Sequence, residues 1–324
     1  MPRPGRGEAR VRVAATAVCH TDLSIYMGTH PGVRYPVVMG HEATGVVESV
    51  GPDVARLRPG QRVLLNPVIA CGACDCCARG QGNLCRTAGL FGREIDGSLA
   101  EHVVLPEGYL YPLPEHVPLV AATLIETLAT VRHAQQRARI APGESVVVLG
   151  QGAAGLLHTR LAKLSGADPV VAVSRSAWKL ELARRMKADR VVDAARQDVL
   201  AEVSDATGGR GADVVIDAAG QPALIASAID MLCPGGRLLM YGISQQPVPG
   251  FSTFPFYFKE LTLYGSRALT PDDFEPAIGL VASGAIDVAD FVTRSYPLAR
   301  VAAAFEEYER APDAILRLVI VPGE

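Results

Sequence analysis

The stretch Val146-Val-Val-Leu149-Gly150-Gln-Gly152-Ala-Ala-Gly155 constrains this chain more than any other. Four consecutive apolar residues without polar alternation describe a strand buried on both faces, as in a parallel sheet. Glycines spaced G-x-G-x-x-G follow at once, and Leu156, Leu157, Leu161 and Leu164 then line one side of a helix. Strand, glycine turn and helix in that order begin a dinucleotide-binding βαβ unit. Gly150 permits the tight turn, Gly152 lets backbone approach a pyrophosphate, and Gly155 lets helix and strand pack closely. The helix N-terminus offers its free N–H groups to the phosphates.

The alternation of apolar strands with helix-length segments begins near Pro118. It continues through Val170 to Val173, Val214 to Asp217 and Arg237 to Tyr241. Ala212 to Gly220 follows a glycine-rich turn and ends in small residues suited to a close ligand approach. Pro234-Gly-Gly236 is expected to break the chain before the next strand. Upstream, from Val11 to about Leu113, the texture differs. Val11 to Val13, Gly45 to Val50, Arg62 to Leu65 and Ala100 to Leu105 are short β-branched stretches cut by Gly and Pro, which predicts an irregular, mostly antiparallel β domain. Beyond Gly265, Asp272 to Ser283 and Leu298 to Tyr308 read as helices and Arg317 to Val321 as a last strand. The class is α/β.

Lys and Arg number 31 against 34 Asp and Glu, with no long block of one sign. That balance gives no footprint for nucleic acid or an anionic membrane, so a small-molecule partner is expected. No apolar run reaches the ~20 residues of a membrane span, and the first ten residues lack the apolar core of a secretory signal, so the expected location is cytoplasmic.

An NAD-binding unit carries an acidic residue roughly 20 positions beyond the glycines, at the end of the second strand, to accept from the ribose hydroxyls. Here that place holds Ser174-Arg175-Ser176, with Lys179 after it. Loss of the carboxylate removes repulsion against a ribose phosphate, and Arg175 offers a forked pair of charge-assisted hydrogen bonds. NADP is therefore expected over NAD.

Five of the seven cysteines fall within residues 71–85, as Cys71-Gly-Ala-Cys74-Asp-Cys76-Cys77 and then Cys85. The spacing C-x2-C-x2-C-x7-C describes four thiolates closing a tetrahedral structural zinc site. Cys76 is the odd member if Cys74 and Cys77 both bind, and a register using Cys76 stays open. A second, dispersed set comprises Cys19-His20-Thr21-Asp22, Gly40-His41-Glu42-Ala-Thr-Gly45, and Glu126.

Taken together, Cys-His-Thr-Asp, the Gly-His-Glu-Ala-Thr-Gly-Val-Val-Glu-Ser-Val-Gly51 run, the four-cysteine lobe and the glycine turn resemble the zinc-containing medium-chain dehydrogenases. Alcohol, sorbitol and threonine dehydrogenases belong to that family, and the resemblance covers essentially the whole chain. It implies a GroES-like catalytic β domain over residues 1–127, completed by 267–324, and a Rossmann doubly wound parallel sheet over 128–266. It implies two Zn²⁺ per chain. Cys71, Cys74, Cys77 and Cys85 would hold the structural ion, and Cys19, His41 and Glu126 the catalytic one. Glu126 in place of a cysteine is similar to the polyol branch. Glu42 would be an exchangeable or outer ligand, Asp22 would orient His41, and His20 would contact the pyrophosphate.

The implied reaction is hydride transfer between a small secondary alcohol, polyol or ketone and the nicotinamide. Zinc would serve as Lewis acid and the Thr21 hydroxyl would relay the proton. Ser24 stands where many relatives carry a histidine at the end of that relay. The chain also begins where relatives are already some twenty residues along. If their first hairpin is absent, an exposed edge is expected. A zinc-free quinone or enoyl reductase on the same fold is the rival class, and a non-catalytic relative the other. Lys259 to Gly265, with Phe254, Phe256, Tyr257 and Phe258 nearby, suits pairing across a two-fold, so the resemblance implies a homodimer or homotetramer. Ile25, Tyr26, Phe91 and Arg267 to Leu269 are candidates for the substrate wall.

Overall fold

The computed structural model describes Met1 to Gly323; Glu324, the end of the expected C-terminal return, lies outside the described residues. The chain divides into two compact units, Met1–Ala129 together with the segment from Ala268 onward, and Thr130–Arg267.

The first unit opens with seven strands: β1 (Glu8–Val18), β2 (Glu42–Val50), β3 (Arg62–Leu65), β4 (Val68–Ile69), β5 (Gly89–Leu90), β6 (His102–Pro106) and β7 (Leu110–Pro112). Between them lie α1 (His20–Tyr26) and α2 (Asp75–Ala78), and α3 (Leu119–Ala122) follows. β1 pairs antiparallel with both β2 and β6. Its early residues alternate, so Ala9, Val11 and Val13 enter a core with Val47, Val63, Phe91, Leu105 and Leu110. Each Val, Leu or Phe among them contributes about 1.5–3 kcal/mol on burial. α4 (Leu124–Ala138) then carries the chain from the first unit into the second.

The second unit contains six strands, β8 (Val146–Leu149), β9 (Val170–Ser174), β10 (Arg190–Asp193), β11 (Ala212–Asp217), β12 (Leu232–Met240) and β13 (Thr262–Gly265). Its helices are α5 (Ala153–Leu164), α6 (Ala177–Arg185), α7 (Val199–Ala206), α8 (Leu224–Asp230) and α9 (Phe254–Phe258). All pairings are parallel, in the order β10-β9-β8-β11-β12-β13. The strands are apolar throughout because they feed two cores. Val147, Leu149, Val171, Val173 and Val215 pack on one face, and Val146, Val148, Val170, Val214 and Ile216 on the other. β8 pairs with both β9 and β11, so the strand order reverses beside the glycine turn, where open α/β sheets bind their ligands.

Pro234-Gly-Gly236 does not break the chain as expected. It lies inside β12, whose register jumps from Leu232 opposite Ala212 to Arg237 opposite Val214. The intervening residues form a bulge, helped by the positive φ of Gly235 (75°), and the strand resumes its pairing.

The return segment supplies α10 (Phe274–Ala282), β14 (Val292–Pro297), α11 (Val301–Arg310) and β15 (Arg317–Val321). β15 pairs antiparallel with β1 and parallel with β14, so the last strand inserts into the N-terminal sheet, which runs β14-β15-β1-β2-β3-β7 with β6 also on β1. Among the described residues no helix is long and apolar enough to cross a membrane.

Candidate active site and metal centres

Cys19 ends the turn out of β1 and caps α1. Its thiol accepts from the Thr21 N–H at 3.4 Å, while the Asp22 carboxylate accepts from the Cys19 N–H at 2.9 Å. This reciprocal cap fixes thiol and carboxylate relative to one another. Asp22 also takes the Gly40 N–H at 3.1 Å and lies 3.2 Å from His41 Nδ1. Gly40 has no room for a side chain, since a Cβ there would meet Leu99 N at 2.8 Å, and its φ is +97°. The chain therefore turns sharply and delivers His41 onto the cap.

Ligand atoms of Cys19, Asp22 and His41 all lie within 4.8 Å of one another. Asp22 is completely buried. Burial works against its charge, but the ring of His41 and the two backbone N–H groups outweigh it and hold the carboxyl below its ordinary value. Burial likewise opposes a charged His41, yet the Asp22 carboxylate beside it lifts the ring well above the usual imidazole range. Such a carboxylate–imidazole pair orients the other ring nitrogen toward a cation and makes it a better donor.

Glu42, buried at the start of β2, pairs through Oε1 with the Arg317 guanidinium at 3.0 Å. Arg317 also donates to Thr127 Oγ1 at 2.6 Å and to the Val18 carbonyl at 3.4 Å. Glu42 Oε2 is buried without a hydrogen-bond partner. Glu126, on α4, is buried in the same unit; burial and the nearby Glu42 push its carboxyl up to about 8. It lies outside the group whose ligand atoms sit within 4.8 Å. Thr21 is half-buried beside Cys19, its carbonyl accepting from Ser24 Oγ at 2.8 Å, whereas His20 is exposed. One thiol, one imidazole and three buried carboxyls face a single guanidinium, and one carboxylate oxygen has no partner. That donor set fits a divalent cation.

The cysteine lobe is more compact. Cys74 Sγ lies 3.5 Å from Cys77 Sγ and 3.8 Å from Cys85 Sγ, and Cys71 Sγ lies 3.9 Å from Cys77 Sγ. Four sulfurs each about 2.3 Å from one zinc stand about 3.8 Å apart, so the spacing fits a tetrahedral ion. Cys76 falls outside the four and accepts from Arg79 at 3.6 Å. Backbone N–H groups lower the thiols of Cys71, Cys74 and Cys85, while desolvation and the neighbouring Cys74 push Cys77 up to about 12. A cation among them stabilises all four as thiolates.

In the second unit, a Cβ on Gly155 would meet the Gly150 carbonyl oxygen at 1.9 Å, and one on Gly150, whose φ is +92°, would touch Ala219. A Cβ on Gly152 would meet nothing within 4 Å. The protein itself does not need a glycine there, which fits space kept for a ligand backbone contact. Ser174 ends β9 with its hydroxyl accepting from Ser176 N–H at 3.1 Å, and Arg175 is exposed next to it. Lys179 is buried, its Nζ lying 5.5 Å from the Trp178 ring centroid.

A cavity of about 260 Å³ lies at the carboxyl ends of β11, β12 and β13 and includes Asp217, Gly220, Tyr241 and Gly242 in its wall. Asp217 Oδ1 accepts from the N–H groups of Ala219 and Gly220, both at 3.0 Å, and its carbonyl accepts from those of Tyr241 and Gly242. Burial raises the Asp217 carboxyl. Sequence reasoning missed Asp217, Tyr241, Gly242, Thr127 and Arg317. A glycine just past a parallel strand was the available signal for Gly242; the others carry none locally. Of the residues suggested for a substrate wall, Ile25, Phe91 and Leu269 are buried, while Tyr26 is exposed and stacks on Phe305 at 4.7 Å.

Residues 5–115 match the alcohol dehydrogenase GroES-like domain family and residues 153–283 the zinc-binding dehydrogenase family. L-galactonate-5-dehydrogenase of Escherichia coli K12 is 34% identical over 323 residues, covering 100% of this chain and 93% of that protein. The chain belongs to the zinc-containing medium-chain alcohol and polyol dehydrogenase family. Solved structures of similar shape include a protein of Sinorhizobium meliloti 1021, assigned as a zinc-binding dehydrogenase and bound to NADP. Its TM-score is 0.91 at 30% identity, over 99% of this chain and 94% of that one. An Escherichia coli CFT073 protein described as a short chain alcohol dehydrogenase, complexed with NADH, gives 0.91 at 29%, over 99% and 94%. As a medium-chain dehydrogenase, the protein is a zinc-dependent oxidoreductase that uses a nicotinamide cofactor on a small alcohol or polyol.

Proposed function

We propose that this dehydrogenase prefers NADP(H), acts on the secondary hydroxyl of a small polyol or related alcohol, and uses two zinc ions per chain. The cluster of half-buried Cys19 with buried Asp22 and His41, flanked by Glu42 and Glu126 and faced by Arg317, carries this reading. Cys19, His41 and Glu126 would hold the catalytic ion, with Glu42 as an exchangeable ligand; Cys71, Cys74, Cys77 and Cys85 would hold the structural one. When bound, zinc supplies Lewis acidity to the substrate oxygen and the nicotinamide supplies or accepts hydride. Asp22 holds the His41 ring in the orientation that presents its free nitrogen. Arg317, itself hydrogen-bonded to Thr127, pairs with Glu42 through its Oε1, and the Thr21 hydroxyl would relay the substrate proton onward as it passes on its own. Residues 1–127 with 267–324 form the catalytic part and 128–266 the cofactor-binding part.

The cofactor preference rests on Ser174 and exposed Arg175 at the end of β9, with no carboxylate at the ribose position. The pyrophosphate would lie on Gly150, Gly152, Gly155 and the start of α5, with Lys179 supporting the ribose end. A homodimer, or a tetramer built from dimers, is supported by β13, which pairs on one side with β12, and by Phe254, Tyr257 and Phe258, exposed to 63%, 83% and 71%. A cytoplasmic site suits seven unpaired thiols, because thiolates bind metal only while reduced.

Steady-state kcat/KM for NADP and NAD over secondary alcohols, polyols and threonine tests the proposal. A higher value with NADP on a polyol supports it, and a clear NAD preference overturns the cofactor assignment. Bound zinc without turnover of any substrate would favour a non-catalytic relative.

A further inference from the structure

We propose that Tyr241 is a positioning residue for the nicotinamide end of the cofactor, held in place by Thr130 and His158. This rests on the reading that the cavity beyond β11, β12 and β13 receives the nicotinamide ring. Tyr241 is the first residue past β12 and forms part of the cavity wall, and its N–H donates to the Asp217 carbonyl at 3.1 Å. The residue also packs against the core between the sheet and helices α4 and α5. There its hydroxyl lies 2.7 Å from Thr130 Oγ1, and the ring of His158 meets it edge-on, centroids 4.6 Å apart at 84°. His158 is itself completely buried and held by Gln135, whose Nε2 lies 3.2 Å from His158 Nδ1 and donates to the His158 carbonyl at 2.8 Å.

Side chains from two helices therefore brace one strand end. The cavity depends on that end because its neighbours have no slack. A Cβ on Gly242 would sit 2.2 Å from Gly220 N, so the chain after β12 touches the chain after β11 backbone to backbone. A small rotation at Tyr241 changes the gap into which a flat, amide-bearing ring would slide. The brace also shares an element with the phosphate turn. Thr159, next to His158 on α5, donates to Gln151 inside the glycine motif at 3.0 Å. One helix thus sets both the turn and the brace.

The test compares two ligands in calorimetry. One is the reduced dinucleotide the wild type prefers; the other is the matching ADP-ribose fragment, with or without the 2′-phosphate, which lacks nicotinamide. Wild type should bind the dinucleotide more tightly than the fragment. Thr130→Val and Tyr241→Phe should each weaken dinucleotide binding about fivefold, the size of one buried hydrogen bond, with fragment binding unchanged. Thr130→Ser should restore it. Equal loss for both ligands, or no loss for either, overturns the positioning role. Equal affinity of the wild type for dinucleotide and fragment overturns instead the reading of the cavity, and the positioning role falls with it.

Discussion

Arg317 and Glu42 stand 3.0 Å apart in the interior of the catalytic unit, 275 positions apart in sequence, and each is less than a tenth exposed. Their pairing joins the last strand to the stretch that presents His41. Removing one partner leaves a buried charge uncompensated, which costs about 3–5 kcal/mol. Arg317→Met is therefore expected to lower thermal stability strongly and to speed zinc loss to a chelator. Thr127→Val, which removes the hydrogen bond accepted from the same guanidinium, should cost about 1–2 kcal/mol. Thermal melts with zinc-release rates check both; equal, small effects would show that the pair carries little.

The glycines of the phosphate turn divide by what surrounds them. Gly155→Ala places a methyl 1.9 Å from the Gly150 carbonyl and should destabilise the cofactor unit. Gly152, with an ordinary φ of −71° and open space, should accept alanine with unchanged melting temperature but weaker cofactor binding. Matched melts and binding titrations read the two effects separately; loss of stability in Gly152→Ala would contradict this division.

Ser174→Asp with Arg175→Ala restores the acidic ribose partner and removes the phosphate partner. The ratio of kcat/KM for NADP over NAD should fall by at least about tenfold, one charge-assisted hydrogen bond with added repulsion. An unchanged ratio would show that the end of β9 does not read the ribose.

His158 is buried and neutral, and burial alone lowers its ring to about 3. The unfolded chain binds a proton at this residue below about 6.5 while the folded one does not. The stabilisation is complete above that pH and is lost progressively as pH falls toward 3, at up to about 1.4 kcal/mol per pH unit. His158→Asn should show a shallower decline than wild type between pH 6.5 and 5 in urea unfolding. Parallel declines would mean that the ring is accessible to protons in the folded state.

What the sequence disclosed, and what it withheld, follows from the range of the interactions. The β8–α5 turn was legible because strand, glycines and helix are contiguous, and the cysteine lobe because its thiols are close in sequence, although only the fold separates Cys76 from the other four within residues 71–85. Arg190 to Asp193 was not recognised as a strand, since it is short and charged at both ends. Pro234-Gly-Gly236 misled because β12 tolerates a bulge where its parallel partner holds the register on either side. Arg317, Thr127 and the Thr130–Tyr241 pair were invisible, because their partners lie 110 or more residues away and only the closed sheets bring them together.

Zinc content is the most direct test of the central claim. Wild-type protein should hold two zinc ions per chain by elemental mass spectrometry, and Glu126→Ala should retain one, with dehydrogenase turnover abolished and the cysteine-lobe ion still bound. A variant that keeps both ions and turns over normally would contradict the account, because Glu126 would then not be a ligand and the assignment of the catalytic centre would fail.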